Sequence, residues 1–150
     1  YGPGMKLNDY RVIPTFLSKA FQGENLPVHG RGLQTRTYCY ISDAVAGFLK
    51  VLVSKGNGEI YNIGNDDNEI NLVGLAKVVS SIFNGRVKFV KIPYPAAYPA
   101  DEPTRRCPDL TKARKKLNYK PDIDLKTGLE RLTIWYRQEF FKSLLKKPLS

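Results

Sequence analysis

With 150 residues, 17.0 kDa and 42% hydrophobic side chains, the chain is long and apolar enough to bury a core of its own, which excludes a disordered tail or a stapled mini-protein. Ordinary shares of glycine and proline exclude collagen-like and low-complexity classes. A net charge of +10 and a pI near 9.6 leave nucleic acid, an anionic membrane surface and an anionic small molecule open as partners.

Apolar positions Val12, Ile13, Phe16, Leu17, Ala20 and Phe21 fall on one helical face, predicting a helix over 9–23 with Asp9 as its cap, Pro14 in the tolerant first turn and Gly23 as its stop. A short strand Leu26–His29 follows, then a turn at Gly30-Arg31-Gly32 and a strand Thr35–Ile41. Ser42 is expected to cap a helix to about Ser54 that gathers Val45, Phe48, Leu49 and Leu52 on one side. Glu59–Ile63 reads as the next strand, Asn71 as the cap of a helix to Phe83, and Arg86–Ile92 as a half-exposed strand. Pro93–Pro108 holds half of the prolines and reads as an ordered loop. Asp109 caps a short helix through Leu117, and a last helix from Leu125 to about Leu144 turns Leu129, Leu132, Trp135, Tyr136 and Phe140 toward the core. Strands alternating with helices predict a mixed α/β (α+β) domain with a small, incomplete sheet.

Chemistry is sparse. Two cysteines, Cys39 and Cys107, and a single histidine, His29, make neither a disulfide framework nor a zinc set, so a reducing, cytoplasmic setting and no metal are expected. No apolar run approaches a membrane span, so no membrane partner is expected. No catalytic triad, His-Glu-x-x-His motif or three-glycine phosphate loop occurs. The acidic pairs Asp66-Asp67 and Asp101-Glu102 read as solvated carboxylates at turns. Arg11, Arg36 and Arg105-Arg106 are the candidate anion ligands, since a guanidinium fork suits phosphate, although composition alone favours solvated or salt-bridged surface arginines. Aromatics interleaved with bases, as in Arg36-Thr37-Tyr38-Cys39-Tyr40, keep a single-stranded nucleic-acid module open as the alternative, and a non-catalytic, self-associating domain is a third possibility.

Four blocks carry a resemblance: Tyr1-Gly2-Pro3; Asn8-Asp9-Tyr10-Arg11-Val12-Ile13-Pro14; Val28-His29-Gly30-x-Gly32-x-Gln34-Thr35-Arg36 with Tyr40-Ile41-x-Asp43; and Pro99-Ala100-Asp101-Glu102-Pro103-x-Arg105-Arg106-Cys107-Pro108-Asp109. In this order they resemble the extended short-chain dehydrogenase/reductases that act on nucleotide sugars, with UDP-glucuronate decarboxylases the nearest likeness and dTDP-glucose dehydratases and UDP-sugar epimerases beside them. The resemblance implies the carboxyl-terminal, substrate-binding portion (1–150) of a Rossmann-type, NAD-dependent enzyme, homodimeric when complete, without its amino-terminal NAD-binding half. The opening at Tyr1 likewise reads as the middle of a longer protein. No tyrosine here has a lysine four positions on, so catalysis by the isolated chain is not expected, Arg106 being at most an auxiliary at the sugar carboxylate.

The resemblance assigns Arg11 and Val12 to the uridine and phosphates, Val28 and His29 to the base, Arg36 and Arg106 to the nucleotide and diphosphate, and Tyr1, Gly2 and Pro3 to the nicotinamide end of the cofactor. It also tips Arg36 and Arg106 toward a functional role. The family usually has Tyr or Phe where His29 stands and Arg where Gly4 stands.

Overall fold

A computed structural model describes residues 1–7, 9–56, 58–67, 69–96 and 103–145, with side chains to residue 139. The predicted Asp101-Glu102 pair, the Pro99–Glu102 part of the fourth block, Asn8 and the Phe140 side chain lie outside the described residues.

Helix α1 (Val12–Phe21) turns Ile13, Phe16, Leu17 and Ala20 inward, as its periodicity predicts. Its predicted cap is corrected: Asp9 stands too far back, takes the Arg11 N–H at 2.9 Å and closes on the Arg11 guanidinium, and no side chain caps the helix. Strand β1 (Leu26–His29) pairs in parallel with β4 (Phe89–Ile92), Leu26 opposite Phe89 and His29 opposite Ile92. The two-residue alternation sends Leu26 and Val28 into the core and leaves Pro27 and His29 facing away from it.

Gly30 and Gly32, at φ of 60° and 69°, turn the chain out of β1. Side chains there would strike the Tyr94 ring and the Val28 and Val73 side chains respectively. The next strand, β2 (Thr35–Arg36), sits between antiparallel β3 (Ile70–Asn71) and parallel β5 (Arg105–Arg106). The expected strand to Ile41 therefore stops at Arg36; beyond it the Thr37 N–H bonds to Arg106 O, Cys39 O and Ile41 N–H bond to Tyr1, and Tyr40 O already accepts from the Asp43 and Ala44 N–H groups.

Helix α2 (Ile41–Leu52) begins one residue before Ser42, with Tyr40 at its start and no side-chain cap, so Ser42 is not the cap. Glu59–Ile63 forms no ladder with another described strand, and β4 begins at Phe89 rather than Arg86. Helix α3 (Leu72–Ile82) is capped as expected, Asn71 Oδ1 accepting the Gly74 N–H at 2.7 Å. Helix α4 (Thr111–Leu117) has Asp109 Oδ1 on the Thr111 N–H at 2.8 Å, and α5 (Leu125–Leu145) closes the chain.

Two cores result. The larger joins α1, β1, α3 and α5 through Phe16, Leu17, Leu26, Leu75, Leu129 and Leu132; the smaller packs Leu110, Ala113, Leu117 and Tyr119 against Val51, Tyr61 and Ile63. Asp43 joins the start of α2 to the approach to α5, its Oδ2 accepting from Ile123 N–H at 2.9 Å. The mixed α/β class with small sheets is as expected. No helix among the described residues is long and apolar enough to cross a membrane, and those residues hold no group of three potential metal ligands.

Candidate functional site

A cavity of about 480 Å³ opens between the start of α1, the outward face of β1 and the segment through β2. Tyr10, Val12, Thr15 and Phe16 form one wall, Pro27 and His29 another, and Gln34, Arg36 and Tyr38 a third, with Leu72 and Pro95 completing it. Mostly apolar walls with a few converging polar groups suit a small organic ligand.

Each wall follows from local sequence. His29 and Pro27 face the cavity because Leu26 and Val28, one step out of phase, are fully buried. Gln34, Arg36 and Tyr38 share a face for the same reason, two positions apart along an extended run. His29 Nδ1 lies 3.2 Å from Pro93 O; a carbonyl only accepts, so Nδ1 carries the proton in that contact. Its ring lies nearly parallel to Tyr94, 20° between planes and 5.9 Å between centroids.

Arg36 is anchored by two carbonyls, Nη1 donating to Thr35 O at 2.8 Å and Nη2 to Pro103 O at 2.7 Å, which fixes the plane of its fork. Tyr38 loses water on burial and its hydroxyl pKa is pushed up to about 12, the nearby Arg36 charge pulling the other way, so at neutral pH it is a neutral donor.

Register separates the two neighbouring arginines. Arg106 is paired with Arg36 across the parallel β2–β5 ladder, whereas Arg105 is paired with Thr35. Arg105 donates from Nε (3.0 Å) and Nη2 (2.8 Å) to Glu69 Oε2, and Thr35 Oγ1 donates to Glu69 Oε1. These contacts hold the Glu69 carboxyl below its ordinary range. Arg106 thus shares a ladder position with Arg36, though it does not line the cavity.

The predicted site residues fall into groups. Val12, His29 and Arg36 meet in the cavity. Val28 is buried in the core, so only its backbone runs along the site. Arg11 turns instead to a second cleft, of about 540 Å³, that it shares with Tyr1, Gly2, Pro3, Lys6 and Asp9. There its Nη2 lies 2.5 Å from Asp9 Oδ2 with the guanidinium 61% exposed.

Donation from Arg11 lowers the Asp9 pKa to about 2. The pair therefore supports the folded state above about pH 4, and that support is lost as pH falls toward 2. Carboxyl NMR titration of the Arg11→Ala variant is expected to return Asp9 to about 3.9; an unmoved midpoint would show another cause.

Tyr10, Thr15, Gln34, Tyr38 and Pro95 line the cavity without having been singled out as site residues. Gln34 and Tyr38 were traceable from their two-residue spacing around Arg36. Tyr10, 95% exposed, and Pro95 arrive from distant segments with no shared pattern. The aromatic strand does not make a nucleic-acid platform: Tyr40 is buried, 5.5 Å from Tyr1, with the Arg131 guanidinium over its ring.

Residues 1–64 match the family described as the NAD dependent epimerase/dehydratase family. The chain is 36% identical to UDP-N-acetyl-alpha-D-glucosaminuronate decarboxylase of Bacillus cytotoxicus, over 92% of this chain and 44% of that protein. It is 37% identical to UDP-glucuronic acid decarboxylase 5 of Arabidopsis thaliana, over 86% of this chain and 36% of that protein. Among solved structures, UDP-glucuronic acid 4-epimerase of Bacillus cereus in complex with UDP-glucuronic acid and NAD superposes with a TM-score of 0.79 at 27% identity, over 93% of this chain and 43% of that one. The chain thus spans less than half the length of the relatives it matches.

Proposed function

We propose that the chain belongs to the NAD dependent epimerase/dehydratase family, whose model matches residues 1–64, that it is the substrate-binding portion of such an enzyme and that its cavity grips the nucleoside diphosphate of a UDP-sugar. One observation carries this reading: a single cavity presents flat ring surface, from Tyr10, His29 and Tyr38, together with the anchored fork of Arg36. A nucleoside diphosphate needs that combination, a planar base to cover and a dianion to hold.

Arg36 takes the diphosphate, with Arg106 beside it in register; His29 and the β1 backbone at Val28 lie along the base, and Val12 packs against the nucleoside. Arg11 serves from the neighbouring cleft. Fixing the diphosphate at two points sets where the sugar projects, which is the chain's contribution to the reaction.

The family is enzymatic and NAD dependent. This sequence has no glycine-rich phosphate loop and no Tyr-x-x-x-Lys pair, so it gives the dinucleotide no phosphate cradle. Holding NAD falls to the remainder of the fold, with Tyr1, Gly2 and Pro3 at one flank, and the isolated chain binds without turning over. Decarboxylation is the reaction class of the two decarboxylases named above, the Bacillus cereus neighbour being a 4-epimerase, and is the one we assign to the complete enzyme.

Calorimetric titration with UDP at constant ionic strength tests the assignment. Arg106→Ala is expected to weaken binding by roughly tenfold, the scale of one charge-assisted contact, and Arg105→Ala by less than about twofold because Glu69 already engages it. Equal losses, or the reverse order, would overturn the role drawn from the register.

A further inference from the structure

Helix α1 carries the first cavity at its start and a separate cleft, of about 380 Å³, at its end. The two share no lining residue. Ala20 and Val87, both buried in the larger core, fix the base of the second cleft. Half-buried Phe21 and Phe83 line it as an edge-to-face pair, with ring centroids 5.2 Å apart and planes 84° apart. Arg86, from the turn after α3, and Arg137, from α5, add two exposed guanidiniums.

The arginines are not there to cap helices. After α1 the Gly23 N–H donates to Ala20 O at 3.1 Å and the Glu24 N–H to Lys19 O at 2.9 Å, with Gly23 at φ 72°. After α3 the Asn84 N–H donates to Ser81 O at 3.0 Å and the Gly85 N–H to Ser80 O at 2.9 Å, with Asn84 at φ 55°. Both are the paired bonds of a Schellman ending, so the carbonyls that a cation would otherwise serve already have backbone partners. Neither guanidinium has an ion-pair or hydrogen-bond partner among the described residues. No carboxylate lines the cleft, and Glu24, the residue after Gly23, is already held by Lys19 at 2.7 Å. Two uncompensated cations therefore stand beside accessible ring surface.

We infer that this cleft binds a small aromatic anion, a flat ring bearing a phosphate or carboxylate group, with the ring against Phe21 and Phe83 and the charge between Arg86 and Arg137. Ring surface favours an aromatic body over an aliphatic one, and a guanidinium serves both parts of such a ligand, forking to its oxygens and lying flat on its ring. The volume is of the size that small-molecule sites take, roughly 300–1,000 Å³. The inference does not rest on the ligand assigned to the first cavity.

Phenyl phosphate is the probe, added to isotope-labelled protein at constant ionic strength and followed by amide chemical shifts. Saturating shifts are expected at 20–23, at 83–87 and around Arg137. Benzyl alcohol, which lacks the charge, and inorganic phosphate, which lacks the ring, should each bind there about tenfold more weakly or worse. An Arg86→Gln/Arg137→Gln variant, altered only at exposed positions, should unfold at the same temperature and lose about tenfold or more in affinity. Absent shifts at the cleft, inorganic phosphate binding as well as phenyl phosphate, or undiminished affinity in the variant would each overturn the proposal. Repeating the titration on Arg36→Ala keeps the two sites apart. Shifts at the cleft are expected to persist there whatever happens to UDP binding in the first cavity, and their disappearance would overturn the second site.

Discussion

Phe16→Ala is expected to destabilise the fold by about 3–5 kcal/mol, the cost of emptying a buried aromatic site that its surroundings cannot fill. Phe16 is 1% exposed and sits where α1 meets the larger core, while its other edge forms part of the cavity wall. For a domain whose whole stability is about 5–15 kcal/mol, that is a large fraction. Thermal unfolding should fall by roughly 10 °C. Ile134→Ala, at a position 56% exposed on α5, should stay within about 0.5 kcal/mol. A shift at Phe16 no larger than that of Ile134 would show that the core is not built around α1.

Arg36→Ala should weaken UDP binding by about 30- to 100-fold, the loss of a bidentate, charge-assisted contact worth roughly 2–3 kcal/mol. The size of the effect follows from preorganisation. Thr35 O and Pro103 O already hold the guanidinium plane, so little side-chain freedom remains to be lost when an anion arrives. Arg36→Lys keeps the charge and loses the fork, and an intermediate affinity is expected. Thermal unfolding of each variant separates a binding defect from a folding one. Unchanged affinity in a folded Arg36→Ala protein would remove Arg36 from the site.

Elements held by short-range patterns are legible in the sequence. The period of α1, the Asn71 cap of α3 and the apolar positions of α5 through Tyr136 depend on neighbours three or four residues away. Pairing between strands depends on residues far apart in the chain, and there composition misleads. Thr37–Ile41 and Glu59–Ile63 have strand-like composition, but the described residues give the first little backbone pairing beyond Tyr1 and the second no ladder. Asp9 and Ser42 have capping chemistry, yet one is drawn to Arg11 and the other falls inside the first turn.

The site divides along the same line. His29, Arg36 and Val12 lie together in the wall of one cavity. Separating Arg105 from Arg106 takes the β2–β5 register and the position of Glu69, which arrives from the loop before β3. Arg11 illustrates the converse: its partner Asp9 is only two residues away, but the closeness of that pair, and the turn of the guanidinium into the second cleft, are matters of geometry.

Amide chemical-shift mapping with unlabelled UDP added to isotope-labelled protein tests the central claim most directly. Perturbations are expected at Tyr10, Val12, Thr15, His29, Gln34, Arg36 and Tyr38, the residues that enclose the cavity. Shifts confined to the lysine-rich α4, or none in a folded sample at millimolar UDP, would contradict it.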